Sequence, residues 1–119
     1  MDHHLSSIYY YFCRFIALVA LSVTACSPAP ASVEIIQREW EIDTQSQVAN
    51  AGHVTFVVTN LGNLEHNFVI EGMEETIELI LPQDTQSLLV RLDPGTYSLI
   101  CNLSGHQEAG METTFTVDP

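Results

Sequence analysis

Thr96-Tyr97-Ser98-Leu99-Ile100-Cys101 runs directly into Asn102-Leu103-Ser104-Gly105-His106-Gln107-Glu108-Ala109-Gly110-Met111. Up to Cys101 the period is two. Tyr97, Leu99 and Cys101 fall on one face, and Thr96, Ser98 and Ile100 on the other, as in a half-buried β-strand. After Met111 the alternation resumes, with Phe115 and Val117 set against Thr114 and Thr116. The intervening loop holds Cys101, His106 and Met111 in one eleven-residue span, with four residues in each gap. A loop between two strands that gathers a thiol, an imidazole and a thioether can wrap a single ion. The set suits copper, because thiolate and thioether stabilise Cu(I) while imidazole tolerates Cu(II). A trigonal set needs a second imidazole. His66 is the candidate, since it opens the strand Asn67 to Ile70 directly after the turn Leu61 to Glu65.

Outward from this stretch the period of two persists. Val54, Phe56 and Val58 share a face in a run rich in β-branched residues, as do His66, Phe68 and Ile70. Ile77, Leu79 and Leu81 alternate with their neighbours, and Leu88, Val90 and Leu92 stand opposite Ser87, Leu89 and Arg91. Val33 to Asp43 adds one or two strands. Turn signals separate the runs at Asn50-Ala51-Gly52, Leu61-Gly62-Asn63, Glu71-Gly72, Pro82-Gln83-Asp84 and Asp93-Pro94-Gly95. A short helix around Gly72 to Thr76 is the one helical expectation. Seven or eight short strands at this spacing predict an all-β chain folded as a β-sandwich or small barrel.

The chain has 119 residues, three basic and fifteen acidic side chains, no lysine, and a formal net charge of −12. One domain is the expectation. So acidic a chain repels phosphate, which excludes nucleic acid as a partner. A hydrophobic fraction of 46% excludes an acidic disordered tail. Phe15 to Ala25 is an uncharged apolar run, too short to span a bilayer as a stable helix and suited to the core of an export signal. Val23-Thr24-Ala25-Cys26 then resembles the lipobox of bacterial and archaeal lipoproteins, in which the cysteine is lipidated and becomes the first mature residue. Residues 1–25 are therefore expected to be a signal peptide, and 26–32 a lipid-anchored Pro/Ala linker. Its six residues Ser27 to Ser32 reach about 19 Å in extended polyproline geometry. The folded domain is expected to span residues 33–119. An ordinary signal cleaved near Ala25 or Ala29 is the alternative. If Cys26 carries lipid, Cys101 is a lone exported thiol, and a metal or a reaction is the usual reason for one. A Cys26–Cys101 disulfide or a buried inert cysteine are the plainer readings.

Together these residues resemble the cupredoxins, the small type 1 blue copper proteins such as plastocyanin, azurin and auracyanin. Gly52-His53-Val54-Thr55-Phe56 through Asn60-Leu61-Gly62 to His66-Asn67-Phe68 looks like the family's first-histidine region. Leu92-Asp93-Pro94-Gly95-Thr96-Tyr97 looks like its strand into the copper cysteine, and Gly105-His106 with Ala109-Gly110-Met111 completes the ligand loop. The resemblance covers about residues 33 to 118. It implies a Greek-key sandwich and one copper per chain. His66, Cys101 and His106 would be equatorial ligands and Met111 the weak axial one. It also implies that Asn67 ties the two ligand segments together and that Tyr97 forms a tyrosine corner. The sequence departs from plastocyanin at Ile100, where that protein has a tyrosine. Its longer Cys101–His106 gap is closer to auracyanin and azurin. Gly105 leaves no second cysteine for a binuclear copper-A site, no His-Cys-His run is present, and the chain is too short for a multicopper oxidase.

The implied function is that of a membrane-anchored single-electron carrier, a monomer and not an enzyme. It would be exported and held by lipid at the outer face of the cell membrane or in the periplasm. A copper-binding or copper-delivery lipoprotein is the alternative. Electrons would pass through His106, ringed by an apolar collar for which Leu61, Leu64, Leu103, Ala109 and Met73 are candidates. The charge suggests a redox partner with a basic face, such as a c-type cytochrome or an oxidase domain, with Glu71, Glu74, Glu75 and Glu78 as candidates for steering it. His53 reads as an exposed turn residue and Trp40 as core or rim packing.

Overall fold

The computed structural model describes residues 29–119. The expected signal peptide, Cys26 and most of the linker lie outside the described residues. The fold is all β, with nine strands in two stacked sheets. They are β1 (Ala31–Arg38), β2 (Glu41–Thr44), β3 (Val48–Asn50), β4 (Gly52–Asn60), β5 (His66–Ile70), β6 (Thr76–Ile80), β7 (Thr85–Leu92), β8 (Gly95–Ile100) and β9 (Glu112–Asp118). One sheet has the order β2-β1-β4-β7 and the other β3-β9-β8-β5-β6. The pairs β1–β4 and β3–β9 are parallel, and the rest are antiparallel. This is the β-sandwich that the alternation predicted, in the Greek-key form that the resemblance implied. The first strand starts at Ala31, two residues inside the expected linker.

The alternation becomes a core because each sheet turns one face inward. Val33 and Ile35 from β1, Val54, Phe56 and Val58 from β4, and Val90 and Leu92 from β7 meet Phe68, Ile70, Leu99, Phe115 and Val117 of the other sheet. Phe56 bridges the layers. Its ring lies 5.4 Å from that of Phe68 and 5.2 Å from that of Phe115, tilted or edge-on in both cases. Tyr97 closes the β7–β8 corner by donating its hydroxyl to the Asp93 carbonyl at 2.9 Å.

Two expectations are corrected, and one strand is new. The segment Gly72 to Glu75 is a turn, closed by the Met73 N–H to the Ile70 carbonyl at 3.0 Å, Thr76 already opens β6, and no helix occurs among the described residues. A β-bulge separates the pairs His66–Ile80 and Phe68–Ile77, so β6 carries one extra residue. Its phase therefore switches, with Ile77 and Ile80 facing inward while Leu79 and Leu81 face solvent. The strand β3, three residues long, is too short to show a period.

The sandwich has two distinct poles. The strands β1, β4, β6 and β8 end, and β5, β7 and β9 begin, at one of them, and the chemistry-bearing residues gather there. At the other pole lie the turns Asn50 to Gly52, Glu71 to Glu75 and Asp93 to Pro94. Residues 29–31 and the C-terminal end meet at that second pole. Ala29, Pro30 and Ala31 line a shallow hollow with Asn50, Ala51, Gly52 and His53, and the Ala51 N–H donates to the Asp118 carbonyl.

Truncation of the bridging ring should cost most of any single core change. Phe56→Ala is expected to destabilise the domain by about 3–5 kcal/mol, read as a lower denaturant midpoint with an unchanged slope.

Candidate metal centre

Three side chains converge at the first pole because three neighbouring strands deliver them. His66 is the first residue of β5, Cys101 follows the last residue of β8, and Met111 precedes β9. These strands are adjacent, in the order β9-β8-β5. The loop 101–111 is held to the ends of its own strands. The Cys101 N–H donates to the Met111 carbonyl, and the Met111 N–H to the His106 carbonyl, both at 3.1 Å. The His106 N–H reaches the Leu103 carbonyl at 2.9 Å. Cys101, Met111 and His66 are fully buried, and His106 is half-buried.

The donor atoms face one another. His66 Nδ1 lies 3.2 Å from His106 Nδ1, and Cys101 Sγ lies 4.0 Å and 3.5 Å from those two nitrogens. One ligand atom from each residue fits within 4.8 Å, the packing expected around one shared ion. Cys101 is a buried free thiol with two imidazole nitrogens at hand, so a metal site accounts for it better than an inert core cysteine does.

Asn67 joins the two ligand segments. Its backbone N–H points at Cys101 Sγ at 3.5 Å, its Nδ2 donates to Asn102 Oδ1 at 2.6 Å, and its Oδ1 accepts the Asn102 N–H at 3.0 Å. Asn60, fully buried at the end of β4, shapes the approach to His66. Its side chain donates to the Leu64 and Ile80 carbonyls and accepts the Gly62 N–H at 2.8 Å. Gln37 is also fully buried and donates to the Asn67 carbonyl at 2.9 Å. In the sequence it stands out as a polar residue in the inward phase of Val33 and Ile35.

The turn joining β1 to β2 reaches both histidines, a role the sequence did not reveal. The Trp40 ring stands edge-on to His106 with centroids 5.1 Å apart, and its carbonyl would lie 3.1 Å from a Cβ at Gly110. Trp40 thus packs on the rim, half exposed. Glu39 turns the other way. Its Oε1 accepts the N–H groups of Asn63 at 2.8 Å and Leu64 at 2.9 Å, and lies 3.5 Å from His66 Nε2. The Leu64 N–H, with that of Asn63, holds the Glu39 carboxyl below its usual range against a smaller opposing effect of burial. Burial is also the main force pushing the His66 imidazole below its ordinary value, with the neighbouring His106 adding to it and Glu39 opposing it.

The open side of the site is apolar in part, with Asn63, Glu65 and Ser104 among its lining residues. Leu64, Leu81, Pro82 and Leu103 flank His106 in a shallow groove, with Leu61 exposed on the same β4–β5 loop. Met73 is not part of it. The β5–β6 connection lies at the opposite pole, where Met73 packs on the core. Glu71, Glu74 and Glu75 sit on that same distant connection. His53 is exposed, at the start of β4 rather than in a turn.

The lowered His66 value has a definite sign. The unfolded chain takes up the proton first as pH falls, so the stability of the metal-free protein is full above 6.5, the ordinary imidazole value, and declines below it. A denaturant midpoint that drops over this range, with a shallower drop in His66→Gln, is the expected result.

Comparison with known proteins agrees with this geometry. Among solved structures, dithionite-reduced auracyanin from the photosynthetic bacterium Roseiflexus castenholzii superposes with a TM-score of 0.67 at 21% identity, covering 77% of this chain and 100% of that one. Auracyanin B gives 0.67 at 22% identity, covering 78% and 93%. Auracyanin A of Chloroflexus aurantiacus, described as a "blue" copper protein, gives 0.64 at 20% identity, covering 76% and 100%. At these identities the likeness establishes the cupredoxin fold. No curated protein sequence matches significantly. The sulfocyanin (SoxE) domain family matches residues 10–118, nearly the whole chain. By that match and by its fold, this protein is a member of the sulfocyanin domain family, of cupredoxin type.

Proposed function

We propose that the protein is a type 1 blue copper electron carrier in which His66, Cys101 and His106, with Met111, would hold the ion. The convergence of His66 Nδ1, His106 Nδ1 and Cys101 Sγ in a buried pocket carries this reading. When bound, the copper ion supplies one-electron chemistry between its Cu(I) and Cu(II) states. The chain's own residues do the rest. The Cys101 thiolate provides the strongest bond, and the Asn67 N–H aimed at its sulfur tempers its charge. The Asn67–Asn102 clamp keeps the donors in place in either charge state, so little rearrangement accompanies transfer. Burial of His66, Cys101 and Met111 keeps water out.

His106 is the point of electron entry and exit, because it alone of the four reaches the surface. The partly apolar groove with Leu64, Leu81, Pro82 and Leu103 around it suits a brief encounter with a redox protein. The net charge of −12 favours a basic face on that partner, such as a c-type cytochrome or an oxidase domain. Lipid on Cys26 would hold the protein at the outer face of the cell membrane or in the periplasm. Residues 29–31 lie at the pole away from His106, so such an anchor would present the groove outward.

Addition of Cu(II) is expected to give one intense blue absorption band at one copper per chain, with slow loss to a chelator. A colourless protein would sink the reading, and rapid loss of metal would favour copper delivery instead. Cys101→Ser should abolish the band and leave a folded sandwich. Met111→Leu should keep copper and raise the reduction potential, since the axial ligand tunes it. An unchanged potential would count against Met111 as a ligand.

A further inference from the structure

The ring of His66 offers two nitrogens, and the metal-centre reading uses only Nδ1. Nε2 is fully buried and makes no formed hydrogen bond. Glu39 Oε1 lies 3.5 Å from it. A buried ring N–H without a partner is costly, and a carboxylate beside it lowers that cost. Glu39 arrives from the opposite sheet, on the turn between β1 and β2. Its carboxylate is locked before any metal arrives, because the same Oε1 takes the N–H groups of Asn63 and Leu64. The loop is built around it. A Cβ at Gly62 would overlap the Glu39 carboxylate, so only glycine leaves the cradle open.

We propose that Glu39 is a positioning residue for His66, fixing the ring with its proton on Nε2 and its Nδ1 lone pair turned to Cys101 and His106, and setting the reduction potential of the centre. The proposal rests on the metal-centre reading above. Its physical content has two parts. A carboxylate at Nε2 orients the ring and makes Nδ1 a stronger donor. A fixed negative charge against a ligand favours the more positive state of the centre, so it lowers the potential. Arg38 and Arg91, the two arginines among the described residues, are both exposed, and neither shares an ion pair with Glu39, so no described arginine cancels its charge.

Glu39→Gln removes the charge yet keeps an oxygen able to accept from Asn63 and Leu64. Glu41→Gln, an exposed carboxylate on the same hairpin, is the control for general surface charge. In the copper-loaded protein at neutral pH, Glu39→Gln should retain the blue band and show a clearly higher potential than both the parent and Glu41→Gln. Glu39→Ala should lower copper affinity about 10- to 100-fold. In the metal-free protein, proton–nitrogen correlation spectra should place the His66 proton on Nε2. Its exchange with water should be faster in both Glu39 variants than in the parent. Equal potentials in Glu39→Gln and Glu41→Gln, or a His66 ring proton unaffected by either Glu39 change, would overturn the proposal. If Glu39→Ala fails to fold, the glutamine variant carries both comparisons. If the parent bound no copper, the metal-centre reading would fall. The ring-proton exchange, read without metal, would still decide whether Glu39 holds the ring.

Discussion

The centre depends on one pair of residues, Asn67 and Asn102. Thirty-five residues separate them in sequence, and they exchange two hydrogen bonds of 2.6 and 3.0 Å. One follows His66 and the other follows Cys101, so the pair locks the two ligand segments in register. The β5–β8 ladder nearby is short, with paired residues only at Val69–Ile100 and Ile70–Leu99. Toward the site the strands separate to make room for side chains, and backbone pairing cannot hold them. The asparagine clamp replaces the missing rungs. Asn67 is the buried half of the clamp, so a shifted register would leave its amide unpaired at a cost of about 1–3 kcal/mol per group.

Polarity is distributed along the sandwich accordingly. Toward the second pole and through the middle the core is apolar, anchored by the Phe56, Phe68 and Phe115 rings. Its packing tolerates change in proportion to volume. At the first pole Gln37, Asn60, His66 and Asn67 are all buried. The three amides, Gln37, Asn60 and Asn67, bond to the strand ends and loops that deliver the donors. An apolar core alone would make a stable sandwich with floppy ends. The added amides convert one end into a preorganised socket, which is what a site needs if its ligands are to be in place before the ion.

Much of this was legible in the sequence, and the failures have physical causes. Cys101 and His106 were readable because they share one short loop that follows a strand of clear phase. His66 was readable because it opens a strand at the same pole. The phase of Leu79 and Leu81 was misjudged because a bulge adds a residue inside β6, and periodicity carries no mark of a bulge. Met73 looked like a rim residue because sequence does not say at which pole a turn lies. Glu39 and Trp40 were invisible as site residues. They belong to a hairpin turn on the other sheet, and only the stacking of the sheets brings that turn over both imidazoles. Asn67 was identified through its likeness to a known position, and its geometry gives that role a mechanism.

The two ends of the described domain meet at the pole away from His106, and that has an engineering consequence. With Ala29 to Ala31 and Asp118 both beside Ala51, a short peptide could join them and new ends could be opened elsewhere, as in circular permutation. Either end could equally carry a fused partner or a surface linker while the groove around His106 stays clear. The domain is thus arranged like a plug whose cord and contacts are at opposite ends, and it can be wired into a larger assembly without rebuilding the socket.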